Sequence, residues 1–328
     1  MDYEAPWWLP GGNLQTIWPA RFARRVWGPK PLYRRERWST PDLDFIDVDW
    51  VDQEAGDTLL VMFHGLEGNS RSHYAEAFAD FARERGFKFA VPHFRGCSGE
   101  INWAPRAYQS GDFEEIDWIL RRFRAVHQGP IVVAGISLGG NALMRWVAEI
   151  GAAANRICDA VASVCAPLDL APSGRAIGQG FNRFFYTRMF LNSMKPKALQ
   201  KLVQHPGLFD PQALMAARNL YEFDNVFTAP VHGFKGTDDY WRRASAKPHL
   251  RQIRIPALAV NACNDPFIPA WSLPVRADVA DSVTLWQPQA GGHVGFTQGQ
   301  APGHIRSLPD TVGDWLARHR SAGQDLKT

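Results

Sequence analysis

Five consecutive residues, Gly135-Ile136-Ser137-Leu138-Gly139, set a serine between glycines two before and two after it. They follow a short apolar run, Ile131 to Ala134, and precede an apolar-periodic stretch, Leu138 to Ile150. A turn this tight from strand to helix strains the residue at its apex. A side chain at either flanking glycine would collide with neighbouring chain. The serine oxygen is then expected at the carboxyl end of a sheet, beside a helix amino terminus that favours negative charge. That is a setting for a nucleophile. G-x-S-x-G alone is a weak pattern, but between a buried strand and an amphipathic helix it is a strong one.

A serine nucleophile needs a base and an acid to orient it. The expected chain order is serine, then acid, then histidine, each on a loop after a later strand. The run Ala257 to Asn261 leads into Ala262-Cys263-Asn264-Asp265-Pro266, which puts Asp265 just past a strand end. The run Val283 to Trp286 leads into Ala290-Gly291-Gly292-His293, whose glycines leave the loop free to bring His293 over the serine. His293 is the expected general base for Ser137, and Asp265 the residue that holds its tautomer. Competing acids are less well placed. Asp278 falls in an expected helix between the two strands, and Asp238 and Asp239 fall in an insertion. His304 reads as a capping or surface residue at the start of the last helix.

The developing oxyanion needs N–H donors. The strand Thr58 to Phe63 ends in His64-Gly65-Leu66-Glu67-Gly68. The backbone N–H groups of Leu66 and Leu138 are the expected pair, with Gly65 allowing close approach of substrate. His64 comes too early in the chain to be the base and reads as a residue that orders its loop.

Strand–helix alternation must position these residues. Phe45 to Val51 alternates with period two, as an edge or half-buried strand does. Thr58 to Phe63, Phe87 to Val91, Ile131 to Ala134 and Ala160 to Cys165 are further strands. Helices are expected at Tyr74 to Arg85, Gly111 to His127 and Leu138 to Ile150. This pattern predicts an α/β fold with a mostly parallel sheet and helices on both faces.

The alternation stops over residues 171–250, where helical pieces (Phe181 to Leu191, Pro196 to Val203, Pro211 to Leu220) predict a helical cap insertion. The core is thus expected over 39–170 and 251–320, ending in a helix from Ile305 to His319 and a frayed tail from Ser321. Phe181, Phe184, Phe185, Tyr186, Met189 and Phe190 are candidates for an acyl pocket, with Phe185 and Met189 the expected substrate contacts beside Gly65. Residues 1–38 form an amino-terminal arm with five of the thirteen tryptophans and seven Lys or Arg. It is expected either to pack as an extended segment or to make peripheral membrane contact.

Composition narrows the class. The 328 residues are 45% hydrophobic and 21% charged, enough for a large core and against disorder. Thirty-six basic residues against 33 acidic ones speak against a nucleic-acid partner. Four scattered cysteines without a CxxC pair suit a reduced, cytosolic chain and give no zinc site. No apolar run approaches the ~20 residues of a membrane span. The start, MDYEAPWWLPGG, lacks the basic and apolar regions of a secretory signal.

These residues resemble the α/β-hydrolases. More narrowly, they resemble the YheT-like branch, related to the mammalian and plant α/β-hydrolase-domain esterases and the yeast medium-chain ester synthases. The stretches that carry the resemblance are Pro6-Trp7-Trp8-Leu9 with Asn13 to Ile17, His64 to Tyr74, His93 to Asn102, and Glu222 to Trp241, together with Gly135 to Asn141. His93 stands where asparagine is more usual. The resemblance implies a cap, carboxylic-ester chemistry on a small-molecule or lipid substrate, no cofactor and no obligate protein partner. A short- to medium-chain serine esterase is the expected activity. An acyltransferase with the same triad, a lipid hydrolase and a non-catalytic scaffold are the alternatives. Arg95 is expected either to bind an acidic group or to pair with Asp112 or Glu100, and Arg106 is undecided between the same roles.

Overall fold

The computed structural model describes residues 2–51 and 56–320; the tail expected from Ser321 lies outside the described residues. Among the described residues, eight strands form one sheet. They are β1 (Arg34–Ser39), β2 (Phe45–Val51), β3 (Leu59–Phe63), β4 (Lys88–Pro92), β5 (Ile131–Ile136), β6 (Ala160–Val164), β7 (Ala257–Val260) and β8 (Val283–Trp286). Their order is β1-β2-β4-β3-β5-β6-β7-β8. β1, β2 and β4 pair antiparallel, and the pairing from β4 to β8 is parallel. The helices that matter for the site are α1 (Gly11–Arg21), α2 (His73–Glu84), α3 (Phe113–Val126), α4 (Leu138–Ile150) and α5 (Leu170–Ile177).

Every residue of β3, β5 and β6 is buried, which is why these runs are apolar but for Ser163 in β6. Successive side chains point to opposite faces. Leu60, Met62, Val132 and Ala134 meet Phe78 and Phe81 of α2 and Leu308, Val312 and Leu316 of the closing helix Ser307–Arg318. Val61, Phe63 and Val133 meet Ile116, Leu120 and Phe123 of α3 and Leu143 and Trp146 of α4. The sheet is thus sandwiched between two helical layers, and its carboxyl edge is free to carry functional loops.

Several expectations need correction. β2 is neither an edge strand nor half-buried, because β1 covers it and only Trp50 and Val51 are part-exposed. Arg34 to Trp38 of the expected arm therefore belong to the sheet. Their charge hides them: Arg35 lies opposite Asp49 and Arg37 opposite Asp47, and both pairs form two-pronged ion pairs. The polar phase of β2 is paired rather than solvated. The rest of the arm packs on the domain as expected, but part of it, Gly11–Arg21, is helix rather than extended chain. Trp8 and Trp18 donate their indole N–H groups to the Gly299 and Pro302 carbonyls, Trp38 is buried, and Trp7 stays outside.

Secondly, the pieces expected to break at Pro196 form one helix, Arg188–Gln204. Leu191 and Ala198 are buried on either side of the proline, and that packing holds the helix across the missing hydrogen bond. Thirdly, no full helix joins β7 to β8. Prolines at 269 and 274 leave two 3₁₀ turns, one holding Asp278. Between β6 and β7 the described chain is helical, with two π turns, Arg183–Thr187 and Asp224–Thr228. No described helix is long and apolar enough to cross a membrane.

Candidate active site

β5 delivers Ser137 to the centre of the sheet's carboxyl edge. Its backbone angles, φ 52° and ψ −118°, are those of a strained turn, which costs on the order of 1–3 kcal/mol. The flanking glycines are required by close approach. A Cβ on Gly135 would lie 2.5 Å from the Gly139 carbonyl oxygen, and one on Gly139 would lie 2.5 Å from that of His64. The turn is pinned from below, where the Ser137 N–H donates to the Val164 carbonyl of β6 at 2.8 Å.

The loops after β7 and β8 bring Asp265 and His293 to this serine. His293 Nδ1 lies 2.8 Å from Asp265 Oδ2, and His293 Nε2 lies 3.0 Å from Ser137 Oγ. The carboxylate can only accept, so Nδ1 carries the proton and the Nε2 lone pair faces the serine hydroxyl. Asp265 Oδ1 accepts the Phe267 N–H at 2.8 Å, so both oxygens of this fully buried carboxylate are engaged. The Phe267 ring packs on the imidazole, 4.2 Å between centroids. The three residues read from spacing thus form one chain of hydrogen bonds.

Leu138 is the first residue of α4, so its N–H is one of those without an intrahelical acceptor. The Leu66 loop rises beside it. A Cβ on Gly65 would stand 3.2 Å from the Ser137 Cβ, which shows how close this loop runs to the serine. His64 orders the loop. The Phe94 N–H donates to its Nε2 at 3.0 Å, so its Nδ1–H donates to the Gly65 carbonyl at 2.8 Å. Burial pushes its pKa down to about 3, keeping it neutral. His93 supports the same region from its own loop. Its Nε2 accepts the Ser70 N–H at 3.2 Å, and burial holds it neutral with a pKa of about 4.

A mainly apolar cavity opens on Ser137, Leu66 and Leu138. Its walls include Ile177, Phe190, Met194, Phe223, Phe227 and Phe267. Gly65, Phe185 and Met189 are not among its lining residues, which corrects the three expected substrate contacts. Phe185 stacks on Phe181 and is 37% exposed; Met189 is 47% exposed. The reason is helical phase. Phe190, Met194, Lys197, Ala198 and Lys201 share the inward face of Arg188–Gln204, and Met189 sits about 100° away from it. Phe267, two residues past Asp265, is the wall of this pocket with the clearest sequence signal.

Arg95 belongs to a buried ion cluster. It pairs with Asp42, Asp44 and Glu115, not with Asp112 or Glu100. Asp112 pairs with Arg106, and Glu100 with Arg37. Burial, with Asp112 nearby, pushes the Glu115 carboxyl up to about 7. One set of potential metal ligands occurs among the described residues: Cys165, Asp265 and His293, with ligand atoms within 4.8 Å. Asp265 and His293 already engage each other. Burial holds the Cys165 thiol protonated while its sulfur accepts the Val294 N–H, so the set offers no ready thiolate.

Sheet order, serine turn and late acid and histidine define an α/β hydrolase. A family model described as the alpha/beta hydrolase fold matches residues 58–300, and the chain belongs to that family. It is 37% identical over 317 residues to YheT, a candidate esterase of Escherichia coli, across 94% of this chain and 91% of that one. It is 30% identical to mouse phospholipase ABHD3, across 84% of this chain and 69% of that one. Among solved structures, the Pyrococcus furiosus esterase Pf2001 superposes with a TM-score of 0.54 at 15% identity, covering 90% of this chain and 99% of that one, which speaks to the fold.

Proposed function

We propose that this hydrolase cleaves carboxylic esters of short to medium acyl chains through an acyl-serine intermediate. The observation that carries the reading is the Asp265–His293–Ser137 chain of hydrogen bonds at the mouth of a mainly apolar cavity. His293 Nε2 takes the Ser137 proton as Oγ attacks the ester carbonyl. The oxyanion of the tetrahedral intermediate accepts the N–H groups of Leu138 and Leu66. Its collapse expels the alcohol, which leaves with the proton held by His293. Water, deprotonated by His293, then attacks the acyl-serine; collapse of this second tetrahedral intermediate frees the acid, and Ser137 Oγ takes the proton back from His293. Asp265 holds the tautomer and stabilises the imidazolium.

In this reading residues 171–250 cap the site, since Ile177, Phe190, Met194, Phe223 and Phe227 come from the insertion. The remaining core spans 39–170 and 251–320. A cytosolic setting is part of the proposal, in keeping with four free thiols. A second reading, hydrolysis of lipid esters, draws support from exposed Phe181, Phe184, Phe185 and Met189, and from the relative named as a phospholipase. A fluorophosphonate probe with peptide mass spectrometry tests the common core of both. Labelling confined to Ser137 supports it. An unlabelled folded protein, or labelling elsewhere, refutes it.

A further inference from the structure

α1 carries two buried polar side chains, Gln15 and Thr16, that reach the loops of Asp265 and His293. Thr16 Oγ1 accepts the His293 backbone N–H at 2.8 Å and donates to the Gly12 carbonyl at 2.7 Å. Gln15 Oε1 accepts two donors, the Gly291 N–H at 2.9 Å and Asn264 Nδ2 at 2.8 Å. Its Nε2 donates to the Leu9 carbonyl at 2.9 Å, which fixes the amide's orientation. Asn264 Oδ1 in turn accepts the Gly292 N–H at 3.0 Å. The residue before Asp265 and the three residues ending at His293 are therefore joined through one helix.

The approach is as close as backbone allows. A Cβ on Gly12 would stand 1.8 Å from the Asn264 carbonyl oxygen, and one on Gly295 would stand 1.8 Å from that of Gln15. The histidine loop needs such support. Val294 and Phe296 hold φ values of 60° and 45°, a conformation that side chains of this size avoid. Strain of this kind persists only where surrounding contacts over-determine it. β8 ends at Trp286 and cannot by itself fix His293. The donors of Gly291 and His293 are satisfied by α1, not by the sheet.

We propose that Gln15 and Thr16 are positioning residues for the His293–Asp265 pair, so that α1 is part of the working site. The proposal rests on Ser137 being the nucleophile. It predicts that loss of the Thr16 hydroxyl slows the chemical step without weakening substrate binding, since neither side chain is among those lining the cavity.

The test compares wild type, Thr16→Val and Thr16→Ser, using the fluorophosphonate labelling rate of Ser137 and the kcat and KM for a p-nitrophenyl ester. Thr16→Val keeps the shape and loses the acceptor. Labelling and kcat are expected to fall roughly 10- to 100-fold, as for a displaced catalytic group, with KM little changed. Thr16→Ser is expected to recover most of the loss. If Thr16→Val does not fold, Gln15→Met, which removes the acceptor for Gly291 and Asn264, decides by the same readouts. A folded Thr16→Val (or, failing it, Gln15→Met) that labels at the wild-type rate overturns this proposal alone. Wild type that does not label overturns the nucleophile assignment and this proposal with it.

Discussion

Glu67 Oε2 lies 2.8 Å from Lys197 Nζ, and this ion pair joins the loop bearing Leu66 to the helix Arg188–Gln204. Glu67 has φ 57°, so the loop turns through a strained residue at the point where it is tied down. Tyr108 completes the tie. Its hydroxyl donates to Glu67 Oε1 at 2.8 Å and accepts the Glu67 N–H at 3.1 Å. Ser193, on the same helix as Lys197, donates to Oε2. The loop bearing Leu66 is therefore held partly by the helix Arg188–Gln204.

Lys197→Met should loosen that loop. Glu67 keeps its bonds from Tyr108 and Ser193, so the expected loss is modest, about 1 kcal/mol of transition-state stabilisation or roughly fivefold in kcat. Glu67→Gln should cost a similar amount. A double-mutant cycle on kcat is the check, and the two losses should not add. Full additivity would mean that the pair does not act through the loop.

The cavity walls predict which substitutions change acyl selectivity. Phe190→Trp or Met194→Phe should fill space beside Ser137. The ratio of kcat/KM for octanoate over acetate p-nitrophenyl esters should then fall, by about tenfold if one or two methylenes are excluded. Phe185→Ala and Met189→Ala should leave that ratio unchanged, because neither residue is among those lining the cavity. A shift with Phe185→Ala and none with Phe190→Trp would reverse the assignment.

Stability should fall on mild acidification. Burial holds His64 neutral to about 3 and His73 and His93 to about 4, whereas unfolded histidines take up protons near 6.5. Their contribution is present above 6.5 and is lost as pH falls toward 4. His127, His249 and His304 are shifted the same way by burial. Two carboxyls oppose them: burial raises Glu115 to about 7 and Asp224 to about 6, a contribution that grows as pH falls. Six imidazoles against two carboxyls leave a net loss. The urea midpoint should be lower at pH 5 than at pH 7.5, and an equal or higher midpoint at pH 5 would contradict the assignment.

The readable parts of this molecule are those where one local rule decides. Ser137 is legible because its glycines and flanking strand and helix lie within twenty residues of chain. Asp265 and His293 are legible because each follows a short apolar strand, β7 and β8. β1 is not, since Arg34-Arg35-Glu36-Arg37 resembles solvated chain until Asp47 and Asp49 stand opposite. Phe190 cannot be told from Met189 in the sequence because a π turn ahead of the helix sets its phase. Gln15 and Thr16 lie more than two hundred residues from the loops they hold. Only folding brings them together: the resemblance carried by Asn13 to Ile17 marks the stretch, but nothing in it points to the loops it meets.

The central claim is tested most directly by hydrolysis of p-nitrophenyl esters from acetate to palmitate by wild type and Ser137→Ala. Turnover by wild type on at least the shorter esters, and a fall of several orders of magnitude in folded Ser137→Ala, is the predicted result. Ser137→Ala that retains wild-type turnover, or wild type inert on every ester, would contradict it.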